Sequence, residues 1–169
     1  MILENVPSFI RFSTSHLLVM LFSLLLFIFL PYLINKNQQS KKNVLILKLL
    51  GYILIGNEIG WVIFKFSLGH NYWAEYMPFE LCTINAYLLG FILILNPSYA
   101  IFEVVYFWAM AGTLQGIITP RLFAGYPHYL FFEYFITHSG IIIATLVLIY
   151  YYDWRVTWLS LFRSFLWLQ

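Results

Sequence analysis

Charge is scarce in this chain. Only 9% of its residues are Asp, Glu, Lys or Arg, against roughly a quarter in a water-soluble domain, so an ordinary soluble fold is excluded. Sulfur nucleophiles are scarcer still: Cys82 is the only cysteine, which rules out an internal disulfide and any cysteine-only metal cage. Short alternating apolar and polar segments are missing, which excludes a membrane β-barrel. A long basic block is missing as well, and the net charge is +2, so nothing points to a nucleic-acid partner. No internal repeat, low-complexity tract or second domain is visible.

What is present is hydrocarbon. Hydrophobic residues make up 62% of the chain, and mean hydropathy is +0.82. Apolar runs long enough to cross a bilayer recur. They predict an all-α, polytopic transmembrane bundle in a single domain, 1–169. Five spans are expected at about 16–34, 44–66, 79–95, 100–118 and 129–150, separated by turn signals such as Asn96-Pro97-Ser98, Thr119-Pro120 and Gly125-Tyr126-Pro127. The first run is too long for a signal-peptide core, and no small-residue cleavage pattern follows it, so it reads as a retained span.

The tail, 155–169, is too short to cross: fifteen helical residues rise only about 22 Å. Ser160, Arg163, Ser164 and Trp167 share one face of it. It is expected to be an interfacial helix or part of a sixth span that continues beyond this sequence. Lys36, Lys41, Lys42, Lys48, Arg155 and Arg163 fall on one side of the bundle, and Arg11, Lys65 and Arg121 on the other. The positive-inside rule then puts the N-terminus outside the cell membrane.

Polar side chains inside such spans are costly and usually face a bundle interior or a wet cavity. His16, Glu58, Glu80, Cys82, Asn85, Thr113, Gln115, Glu133, Thr137 and His138 all fall in the same half of the bilayer, from five helices; Glu103 falls in the other half. One polar cavity is expected there. Helical spacing puts Gly112, Gln115, Gly116 and Thr119 on one face of span four, a small-residue patch for close helix contact. Span three carries Cys82 and Asn85 on one face and Glu80 and Thr83 on another, which predicts a central position for it.

Each of these groups has a plain structural reading: a small packing thiol, a hydrogen-bonded core imidazole, a snorkelling carboxylate. Together they also permit chemistry. His138 is positioned by type to take the proton of Cys82. Glu58 or His16 would orient the imidazole, and Asn85, Thr113 or Gln115 would donate to an oxyanion. That is acyl transfer through a thioester, with membrane lipids as acyl donor and acceptor. No cofactor or metal is required. Two other classes fit the same residues: a small transporter with a buried polar path, and a non-catalytic membrane protein. Depth weighs against the pair, since Cys82 lies about 6 Å and His138 about 14 Å into their helices.

The run Tyr106-Phe107-Trp108-Ala109-Met110-Ala111-Gly112-Thr113-Leu114-Gln115-Gly116-Ile117-Ile118-Thr119-Pro120 resembles the signature of the YwaF-like bacterial integral membrane family, which is grouped with transmembrane protein 164 of animals. Phe131 to Gly140 and Pro78 to Cys82 resemble two further blocks of that family. The resemblance covers roughly 76–150. It implies a membrane acyltransferase acting on phospholipid acyl chains, with Cys82 and His138 matching the family's Cys and His.

Overall fold

The computed structural model describes residues 6–34, 40–69, 80–95 and 97–169. Among them the chain is helical, with no strand beyond an isolated bridge between Ser8 and Ala124. The helices are α1 (Thr14–Leu33), α2 (Lys41–Ser67), α3 (Leu81–Ile94), α4 (Tyr99–Ile118), α5 (Tyr129–Tyr152) and α6 (Trp158–Leu166). Four of them, α1, α2, α4 and α5, are long and apolar enough to cross a membrane. The described part of α3 has 14 residues, a rise of about 21 Å; its expected start at residue 79 lies outside the described residues, as does Asn96.

Helix ends follow local chemistry. The Ser40 hydroxyl caps α2 by accepting from the Asn43 N–H, as an N-cap serine does. His128 caps α5, its Nδ1 accepting from the Leu130 N–H at 3.2 Å. Asp153 ends α5 in the left-handed region with φ 53°. Before α1, the segment 7–9 pairs with the loop after α4: Phe9 N–H donates to Phe123 O at 2.9 Å and Gly125 N–H to Pro7 O at 2.6 Å.

The centre of the bundle is α5 rather than the expected α3. It packs against α1, α2, α3 and α4, and Ile141, Ile142, Ala144, Val147 and Leu148 are all sealed from solvent. Those residues point in different directions around the helix, so α5 is enclosed on all sides. On α3 the buried side is Asn85, Ala86, Leu89 and Gly90, with Ile92 and Leu93. It meets α2 at a glycine crossing: a Cβ on Gly51 would lie 2.8 Å from Gly90 O, and one on Gly90 would lie 2.6 Å from Ile55 Cγ1. Only hydrogen at both positions lets the backbones approach so closely.

The tail helix α6 is inside out. Its buried residues are Ser160 and Ser164, while Trp158, Leu159, Phe162, Phe165 and Leu166 are exposed. Its polar face docks on α4. Ser160 Oγ donates to Glu103 Oε2 at 2.8 Å, Arg163 pairs with Glu103 Oε1, and Ser164 Oγ donates to Val104 O at 3.0 Å. Glu103, the outlier of the polar set, is thus the anchor of α6.

Candidate functional site

The middle of α4 is not a regular α-helix. Trp108–Thr113 forms a π turn before the chain returns to α-helical geometry at Leu114–Ile118. A π turn shifts the residues that follow it out of phase with those before, and such turns recur at functional sites. Here it ends on Thr113, which is wholly buried. Thr113 Oγ1 lies 3.6 Å from Cys82 Sγ, within the range of a sulfur–hydroxyl hydrogen bond. Cys82 is half-buried in the first turn of α3.

One turn further along α4, His138 and Tyr134 meet Gly116. The two rings stack with centroids 3.8 Å apart. Tyr134 OH donates to Gly116 O at 3.0 Å, and His138 Nδ1 bonds to Tyr134 O at 2.8 Å. A backbone carbonyl only accepts, so Nδ1 carries the proton and Nε2 presents a bare lone pair. That atom is held against α4, where a Cβ on Gly116 would lie 3.0 Å from it. Neither Glu58 nor His16 orients the imidazole; the Tyr134 carbonyl and ring do.

Cys82 and His138 make no hydrogen bond to each other. They come to α4 at positions three residues apart, Thr113 and Gly116, which is a rise of about 4.5 Å. Both residues thus pack on α4, each at its own position. One helical turn beyond Cys82, Asn85 is wholly buried, and neither Oδ1 nor Nδ2 has a partner. A buried amide with both ends unpaired is uncommon and costly.

Glu58 belongs to a second cluster, between α2 and α5. Asn57 Nδ2 donates to Glu133 O at 2.9 Å and to Thr137 Oγ1 at 2.8 Å, and Thr137 Oγ1 donates to Glu58 Oε1 at 2.8 Å. Thr83 of α3 is a further hydrogen-bond neighbour of Glu58. Asn57 had no place in the expected set, yet it starts this relay; the available signal was an amide directly beside Glu58 inside an apolar run.

His16 is committed elsewhere. Its Nδ1 accepts from the Phe12 N–H at 2.9 Å, so its Nε2 donates to Ile117 O at 3.0 Å. Phe9, Phe12 and Phe135 enclose the ring. It ties the N-terminal segment to the end of α4. Two expected members are not buried at all. Gln115 is exposed and donates to Thr119 Oγ1 on its own helix at 2.6 Å. Glu80 is exposed at the N-cap of α3 and makes no capping bond through its side chain. Gly112 is exposed like Gln115, so the expected small-residue face is closely packed only at Gly116. Gly116 is tight against His138, whereas a Cβ on Gly112 would meet only Leu81 Cδ2 at 3.9 Å.

The expected single cavity is instead a set of separate contacts at one end of the bundle. Among the described residues no group of three His, Cys, Asp or Glu side chains converges to hold a metal. A large cavity does exist, about 740 Å³, but it lies between α1, α2 and α5 and is lined by neither Cys82 nor His138.

Apolar helices of spanning length, with polar side chains gathered at one end, define a helical membrane protein. The chain belongs to the TMEM164 family, whose family model matches residues 11–169. No curated protein and no solved structure matches it.

Proposed function

We propose that this protein is an acyltransferase of the cell membrane that moves lipid acyl chains through a thioester on Cys82. The observation that supports the reading is that Cys82 packs on Thr113 and His138 on Gly116, three residues apart on α4, with the Nε2 lone pair of His138 free of a protein hydrogen-bond donor among the described residues. In the reaction, Nε2 takes the thiol proton and the sulfur attacks the ester carbonyl of a phospholipid. The carbonyl–oxygen bond of the ester breaks, the released alkoxide of the lysolipid takes the proton back from His138, and the acyl group stays on sulfur. An acceptor hydroxyl then attacks the thioester and regenerates the thiol. Thr113 and the unpaired amide of Asn85 supply hydrogen bonds to the charges that develop. With the N-terminus outside, the site faces the outer leaflet, where membrane lipids are both donor and acceptor.

The test is intact-protein mass spectrometry after incubation with phospholipid. An acyl mass on Cys82, released by hydroxylamine and absent from Cys82→Ala, is expected. His138→Gln should slow its formation. An acyl adduct that persists in a folded Cys82→Ala protein, or none in the wild type, would overturn the reading.

A further inference from the structure

The cavity between α1, α2 and α5 has its own chemistry. It runs along α1 from Ser15 to Leu30, fifteen residues or about 22 Å, so it is longer than one leaflet's half of a ~30 Å hydrocarbon core. Its side-chain wall is carbon except for three serine hydroxyls and that of Tyr126. Two of these are satisfied within the wall: Ser23 Oγ donates to Val19 O, which leaves Ser139 Oγ to donate to Ser23 Oγ at 2.7 Å. Apolar cavities of this kind do not hold water. The groove also opens sideways, because Leu18 and Phe22 on its α1 edge are 61% and 60% exposed. In a spanning helix that edge meets bilayer hydrocarbon.

The end near Ser15 is polar. The Ser13 and Ser15 hydroxyls lie 3.1 Å apart, and Tyr126 lines the same cavity. Arg11 is four residues from Ser15 and exposed. Arg121, also exposed, belongs to the loop that pairs with segment 7–9. Neither arginine has an ion-pair partner among the described residues. A long apolar slot with cationic and hydroxyl groups at one end matches a lipid that carries a phosphate.

We propose that this groove holds one acyl chain of a phospholipid, with its phosphate at Arg11 and Ser15, as a lipid site separate from Cys82. The site does not depend on thioester chemistry.

The test uses the whole protein in nanodiscs with phosphatidylglycerol carrying a photoactivatable acyl chain. Cross-links should concentrate on α1 and on 131–143. Leu18→Trp and Ile53→Trp, which fill the groove, should each lower them about tenfold. Leu45→Trp, on an exposed part of α2 away from the groove, should leave them unchanged and controls for folding. Arg11→Gln should lower them about fivefold, and a probe of the same chains without phosphate should be insensitive to it. Cys82→Ala should cross-link like the wild type. Cross-links spread evenly over every lipid-exposed face would overturn the proposal. So would cross-links indifferent to both tryptophans, or a groove filled by a second copy or by other polypeptide. Loss of the α1 cross-link while Cys82 still acylates would sink the groove alone.

Discussion

The ring of His138 lies flat on that of Tyr134, one turn earlier in α5, with centroids 3.8 Å apart and planes 18° from parallel. The stack is closed on its other side by Gly116, where a Cβ would come 2.7 Å from His138 Cδ2 and 3.1 Å from Tyr134 OH. Gly116→Ala should therefore cost about 1–3 kcal/mol through overpacking and displace the imidazole. Gly112→Ala, with open space around it, should be nearly neutral. Thermal unfolding in detergent and the rate of Cys82 acylation should both separate the two variants.

Glu58 is 2% exposed, and its carboxylate accepts from Thr137. Thr137→Val removes that donor, and it also takes away an acceptor of Asn57. Leaving buried polar groups unpaired costs about 1–3 kcal/mol. Glu58→Gln keeps an oxygen that accepts from Thr137 and should cost less. A denaturation series that ranks Thr137→Val as milder than Glu58→Gln would contradict this relay.

At the other end of the bundle, Glu103 is buried while Arg163 is half exposed. Glu103→Ala removes the acceptor of both Ser160 and Arg163 and should release α6. Ser164→Ala loses one bond to a carbonyl and should loosen α6 only slightly, by about 1 kcal/mol. Amide hydrogen exchange over 158–166 reads this directly: fast in Glu103→Ala, near wild type in Ser164→Ala.

The apolar runs made the spans legible, because hydrocarbon thickness sets helix length whatever the neighbours do. Polar residues such as Thr137 and His138 were also legible as buried, since cost alone drives them inward. What sequence did not reveal was the π turn at Trp108–Thr113. Regular α spacing put Gln115 with Gly116 in one helix contact; Gln115 is instead exposed, and Thr113, the last residue of the π turn, is the one that meets the thiol. Nor could hydrophobic runs rank α5 above α3 at the centre, because lipid-facing and protein-facing residues are equally apolar. The inverted α6 was half legible, from Ser160, Arg163 and Ser164 on one face, but its partner Glu103 lies 57 residues from Ser160.

Thr113 is the only hydrogen-bond partner of Cys82 among the described residues, at 3.6 Å. If the hydroxyl donates to sulfur as the thiolate forms, it supplies a charge-assisted bond worth about 1.5–3 kcal/mol. Thr113→Val keeps the shape and removes that donor, so Cys82 alkylation by a small maleimide should slow by roughly tenfold or more. Thr113→Ser restores a hydroxyl and should recover most of the rate. Unfolding temperature should change far less than reactivity, since the thiol loses one weak partner and no volume. Equal alkylation rates for Thr113→Val and wild type would show that the hydroxyl only packs against sulfur. Acylation of Cys82 would then have to draw its activation from His138 alone.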